Sequence, residues 1–129
     1  MRKSRRWAGS SPDVVVEDRD VTTVQVRVLY SSDRDRETWS RRMFFDMDPK
    51  ARRRVVAEFA LEVTPKVRGA PGSLTGLEVA KYVFLGFSGV GTPLEAFRKA
   101  DVRPMTVGDV VEVNGVRFLQ TLTGFEILH

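Results

Sequence analysis

Asp46 and Asp48 stand two residues apart in Phe44-Phe45-Asp46-Met47-Asp48-Pro49, and carboxylates at that spacing share one side of an extended chain. Hard oxygen ligands so placed suit Mg²⁺. The neighbours argue for something plainer. Arg41 and Arg42 precede the pair, and Asp48-Pro49 reads as a helix N-cap with proline at N1, so a cap plus ion pairs is the simpler account. Around the aspartates lies a basic cluster, Arg41, Arg42, Lys50, Arg52, Arg53 and Arg54. Such a cluster can track a nucleic-acid backbone, with Trp7 or Trp39 stacking on a base. A solvated face partly neutralised by Asp46 and Asp48 is the plainer reading of the same residues. A second basic group, Arg2, Lys3, Arg5 and Arg6, opens the chain with no acid among the first seven residues. Four phosphate contacts would give a salt slope of only about −3.6, which is weak and non-specific binding.

The remaining chemistry is narrow. The chain has no cysteine, which removes thiol catalysis, disulfides and cysteine-based zinc sites and mildly favours the cytoplasm. Its one histidine is the last residue, His129. Histidine general-base catalysis, Ser-His-Asp triads and multi-histidine metal sites are therefore not expected. The glycine-rich stretch Gly86 to Gly91 (GFSGVG) invites a phosphate-cradle reading. It follows a helical pattern rather than a strand, and no Lys-Ser/Thr completes it, so a helix C-cap and connector is expected instead. No apolar run approaches the roughly 20 residues needed to span a bilayer, and the basic start lacks the apolar core of a secretion signal. The expectation is a cytoplasmic, non-catalytic protein with no cofactor, no metal and no membrane partner.

The 129 residues carry 21 basic and 17 acidic side chains, a net +4. The four tail cations account for that excess, since the rest of the chain balances. Residues 1–20 read as a basic, largely flexible arm, with a short extended piece at Val14–Val16. Residues 21–129 read as a single α+β domain, long enough to bury roughly two thirds of its unfolded surface.

Within the domain, Thr23 to Tyr30 alternates cleanly, with Val24, Val26, Val28 and Tyr30 on one face of a strand. Ser31 to Arg36 reads as a polar turn. Residues 37–45 fit a short helix with Trp39, Met43 and Phe44 on one stripe, or a segment ending in a strand at Met43–Asp46. Residues 50–63 fit either period, and a strand from Val55 to Val63 is favoured, after a turn of helix carrying Lys50, Arg52, Arg53 and Arg54. Pro65 to Gly72 is a loop. A helix capped by Ser73 or Thr75 and running to about Leu85 carries a broad apolar stripe, Leu77, Val79, Ala80, Val83, Phe84 and Phe87. A second short helix spans Pro93 to Lys99.

The last quarter organises the fold. Val110, Val111 and Val113 precede Asn114-Gly115, and Val116, Phe118 and Leu119 follow it. Asn-Gly suits a type I′ turn because both residues tolerate positive φ. Gly108 is expected to supply an unusual φ in the turn before the hairpin, and Asp109 a side-chain acceptor for nearby N–H groups. Gly124 punctuates the run before a terminal strand. The expected architecture is an antiparallel sheet of about five strands, with one main helix on one face and short helices in the connections.

The motif Met105–Val111 (MTVGDVV), the aromatic-containing strand after the short turn, and the closing Gly124-Phe125 resemble the YodL-like domain. In order, the Val24–Tyr30 strand, the Val55–Val63 strand, the helix reaching Leu85-Gly86 and the Pro93–Lys99 segment extend that likeness to residues 22–128. The resemblance implies an accessory protein of a phage, plasmid or conjugative element, of the kind found in actinobacteria, with no catalytic residues to carry over. Arg2–Arg6 lies outside it. Three functions follow as expectations. One is a module binding a protein partner through an apolar edge strand or a dimer interface. Another is a nucleic-acid binder using Arg2, Lys3, Arg5, Arg6, Arg41, Arg42, Arg52, Arg53 and Arg54. The least favoured is a Mg²⁺ enzyme built on Asp46 and Asp48.

Overall fold

The computed structural model describes residues 22–63 and 76–129. Valine and aromatic alternation produces five strands: β1 (Thr22–Ser31), β2 (Arg53–Val63), β3 (Val110–Val113), β4 (Val116–Thr121) and β5 (Gly124–Leu128). They form one antiparallel sheet in the order β2-β1-β3-β4-β5. Three helices occupy the connections: α1 (Asp33–Ser40), α2 (Gly76–Phe87) and α3 (Glu95–Ala100). This is the expected α+β architecture.

The two faces of the sheet differ. Val24, Val26, Val28, Tyr30, Val111, Val113 and Phe118 point to one side and bury against Val79, Ala80, Val83 and Phe87 of α2. Each fully buried valine contributes about 1.5–3 kcal/mol. α2 lies over β3 and β4, and α3 lies over β2. Phe87 joins these parts, stacking on Phe59 at 6.2 Å and meeting Phe97 edge-on at 5.3 Å. On the other side a smaller cluster, Leu29, Val110 and Leu119, packs with Met47 and Leu128. Farther along that side the sheet is polar. Glu58, Arg27, Glu112 and Arg117 form a charge ladder across β2, β1, β3 and β4, with contacts of 3.4, 3.3 and 3.0 Å.

The β1–β2 ladder has a bulge between Val28 and Leu29. Val28 pairs with Ala57 but Leu29 pairs with Val55, leaving Val56 as the extra residue. Beyond it Tyr30 faces Arg54 and Ser31 faces Arg53.

The Asn114-Gly115 hairpin forms as the sequence predicts, with φ of 48° and 87°. β2 is a strand, which resolves the ambiguity of residues 50–63. Several boundaries move. Ser32 caps a helix that begins at Asp33, its hydroxyl accepting the Asp35 N–H, so the polar turn expected over Ser31 to Arg36 is mostly helix. Local capping overrides a weak apolar period there. Met43 and Phe44 have φ of 53° and 64°, which excludes both a helix and a strand over 43–46. The helical turn expected to carry Arg52, Arg53 and Arg54 is absent. Asp48 instead closes a tight turn by accepting the Lys50 N–H at 2.9 Å, and Arg53 and Arg54 already belong to β2. α2 continues to Phe87, α3 starts at Glu95, and β4 stops at Thr121. The arm at residues 1–20 with its Val14–Val16 piece, the Pro65 to Gly72 loop, and the Ser73 or Thr75 cap lie outside the described residues.

Candidate functional site

Asp109 is completely buried, a costly position for a carboxylate unless donors surround it. Five do. Oδ1 accepts the Ser31 N–H and hydroxyl at 3.0 and 3.1 Å and Arg103 Nη2 at 3.0 Å. Oδ2 accepts Arg103 Nη1 at 2.7 Å and the Thr106 N–H at 3.0 Å. The expected turn acceptor is therefore also the point where β1, the Arg103–Thr106 segment and β3 are joined. Gly108 precedes it at φ 99°, a conformation that disfavours any side chain, and an added Cβ would lie a tight 3.1 Å from the Trp39 ring.

Arg103 covers the Tyr30 ring, its guanidinium carbon 4.1 Å from the centroid, while the Tyr30 hydroxyl donates to the Arg103 carbonyl at 2.7 Å. Burial works against the Arg103 charge, but the hydrogen bonds and charge of Asp109 outweigh it and hold the guanidinium above its ordinary value. Burial, reinforced by the Asp109 charge, pushes the Tyr30 phenol above its ordinary value.

Arg53 is the second anchored cation. Nε donates to the Gly108 carbonyl at 2.7 Å, Nη1 to Ala51 and Pro49 at 2.9 and 3.1 Å, and Nη2 to Asp48 at 3.2 Å. Its guanidinium lies 5.5 Å from the Trp39 ring centroid. Burial lowers its pKa, against the pull of Asp109, Asp48 and Asp35. Arg53 thus folds the α1–β2 connection onto the Gly108 turn and leaves the surface cluster expected from the sequence.

The other members of that cluster divide. Arg41 pairs with Glu37 at 3.3 Å and Arg42 with Asp46 at 2.9 Å, all four side chains being exposed. Such pairs are worth about 0–1 kcal/mol. Arg52 and Arg54 make no side-chain ion pair among the described residues. They line a polar hollow of about 930 Å³ together with Arg103, Asp33, Asp35 and Asp101, a mixed wall with no strong bias for either sign. Arg2, Lys3, Arg5 and Arg6 lie outside the described residues. Trp39 is buried and unable to stack on a base. Among the described residues the most exposed aromatic is Phe45, 82% exposed, with Met43 at 66% beside it in the same turn. The sequence reading missed Phe45 because it sits in an apolar triplet that resembles core. Two consecutive positive φ values on non-glycine residues were the missing information, at about 1–3 kcal/mol of strain each. The Asp46–Asp48 pair does not share a strand face: one carboxylate pairs with Arg42 and the other caps its own turn.

A different kind of site lies along β2. Gln25 directs both backbone groups to Asn114, donating to its Oδ1 and accepting its N–H at 2.8 Å each. Its groups therefore face β3. Alternation turns those of Val24, Val26 and Val28 toward β2 and those of their partners Leu61, Phe59 and Ala57 back toward β1. The backbone groups left pointing away from the sheet are those of Glu58, Ala60 and Glu62. Beside them runs a groove of about 500 Å³ between β2 and α3, lined by Phe59, Leu61, Leu94, Ala96 and Lys99 among others.

Among the described residues no helix is long and apolar enough to cross a membrane, and no three potential metal ligands gather. The chain matches no protein-family model, no curated protein and no solved structure.

Proposed function

We propose that this chain is a non-catalytic binding module that accepts an extended segment of a partner protein as an added strand on the outer edge of β2. The carrying observation is the combination of outward-facing backbone groups at Glu58, Ala60 and Glu62 with an apolar groove walled by α3. Main-chain hydrogen bonds supply affinity in strand addition, and pockets for alternate side chains supply selectivity. Here the α3 side would take small or apolar side chains. The opposite face carries exposed Glu58 and Glu62, which favour a basic residue between them. The buried Asp109 and Tyr30 are both engaged with Arg103, which supports binding rather than catalysis. The likeness of Met105–Val111 to the YodL-like motif supplies the setting of this reading, an accessory protein of a phage, plasmid or conjugative element working in the cytoplasm.

The test is selection of displayed extended peptides against the whole chain, followed by NMR mapping of the winners. Peptides alternating apolar and basic residues should emerge and shift the amides of Glu58, Ala60 and Glu62. Ala60→Pro removes an outward N–H that β1 does not use, a tolerated change at a strand edge, and should weaken them at least tenfold. Selected peptides that ignore Ala60→Pro, or that map to another surface, would refute the reading. So would pairing of two copies through this edge in place of a peptide, seen as dimers by sedimentation.

A further inference from the structure

We infer that the α1–β2 turn is a separate contact surface that takes single-stranded nucleic acid, with a base stacked on Phe45 and phosphates met by Arg41, Arg42 and Lys50. The turn is built to hold its shape. Phe44 and Arg42 donate their N–H groups to the Trp39 carbonyl at 2.8 and 3.0 Å, Met43 donates to Ser40 at 3.0 Å, and Phe45 to Arg42 at 3.1 Å. Trp39 itself is buried and Arg53 lies over it, so the tip rests on a fixed base. Within that frame the backbone adopts two successive left-handed residues, and the result is a phenylalanine ring directed into water. A stacking platform needs this arrangement: an aromatic face kept open by a rigid support.

The charge around the ring fits the same ligand. Residues 33–54 hold eight basic and five acidic side chains, whereas the other described residues hold six basic and eight acidic. The segment that carries the exposed ring is therefore more basic than the rest of the described chain. With Arg53 anchored on backbone carbonyls and Arg52 and Arg54 in the mixed hollow, Arg41, Arg42 and Lys50 are the cations nearest the ring in sequence. Arg41 and Arg42 are held by weak, solvent-exposed pairs with Glu37 and Asp46, which phosphate can replace. Arginine predominates over lysine in this segment, the choice suited to bidentate phosphate contacts and to stacking on planar groups. Single strands fit better than duplex, because an unstacked base must reach the ring. The inference does not depend on the β2 edge.

The experiment is fluorescence anisotropy of a labelled oligothymidylate with the full chain over a range of salt, beside a duplex of equal length. Preference for the single strand is expected. Phe45→Leu, which keeps an apolar side chain but loses the aromatic face, should weaken binding roughly tenfold without changing the salt slope, and Phe45→Tyr should retain it. Arg41→Gln and Arg42→Gln should each reduce the slope by about 0.7. Because these side chains are exposed, circular dichroism should show every variant folded. Ala60→Pro should leave oligonucleotide binding intact. Equal binding by Phe45→Leu, no binding at low salt, or Phe45-dependent capture by phosphatidylserine vesicles without oligonucleotide binding would each overturn the inference.

Discussion

Arg103 meets Asp109 fork to fork, Nη1 2.7 Å from Oδ2 and Nη2 3.0 Å from Oδ1, while the same guanidinium covers the ring of Tyr30. The pair sits where three chain segments converge. Its geometry makes the cation and the anion mutually dependent, because neither has comparable solvation elsewhere.

Asp109→Asn should therefore cost about 3–5 kcal/mol, the penalty for breaking a buried pair from one side. The amide also turns a donor toward groups that are themselves donors. Urea denaturation should show the midpoint falling with little change in slope. A loss below about 1 kcal/mol would mean that Arg103 finds solvent as readily as it finds Asp109.

Tyr30 gives the fold an alkaline limit. Burial raises the phenol above its ordinary value, so the unfolded chain releases that proton first. The contribution is complete below about pH 10, the unfolded value, and is lost as pH rises toward the folded value. Tyr30→Phe should cost about 1 kcal/mol at neutral pH through the lost bond to the Arg103 carbonyl, and it should flatten the decline in stability above about pH 10.

Gly86 lies in α2 where it meets Leu94, and an added Cβ would come within 2.4 Å of Leu94 Cγ. Gly86→Ala should destabilise by about 1–3 kcal/mol, an overpacking cost that outweighs the helix preference for alanine. With Leu94→Ala in the background that penalty should largely vanish. The double-mutant cycle measures this coupling, and strict additivity would contradict the close approach.

Asn114 serves both its turn and the sheet, since its side chain accepts the Gln25 N–H. Asn114→Gly keeps the positive φ and loses only that bond, at a cost of about 1 kcal/mol. Asn114→Ala loses both and should cost about 1 kcal/mol more. Thermal melts of the two variants should rank in that order.

The strands were readable because valine alternation and Asn-Gly act locally. β1 and the C-terminal hairpin follow from a period of two and one turn dipeptide, whereas residues 50–63 fit either period and only the pairing with β1 makes β2 a strand. The α1 start was misread because Ser32 capping carries more weight than an apolar period with one buried residue, Trp39. The roles of Asp109 and Arg53 were hidden for a different reason. Asp109 depends on Ser31, 78 positions away, and Arg53 on Gly108, 55 positions away. No local pattern marks which arginine of a run will find backbone carbonyls. Phe45 was concealed in the same way, because Phe44-Phe45 reads as interior until the backbone angles are known.

The single inserted residue at Val56 acts as a sorter. In a ladder of unbroken phase Ser31 would face Arg54, and that side chain would be the one delivered to the indole and the carbonyls behind it. The half-period offset hands this structural post to Arg53 and leaves Arg54 facing solvent. One irregularity in their own strand thus decides which arginine of the run is anchored, and a β2 shortened by Val56 would keep that choice, because Leu29 would still pair with Val55 and Ser31 with Arg53.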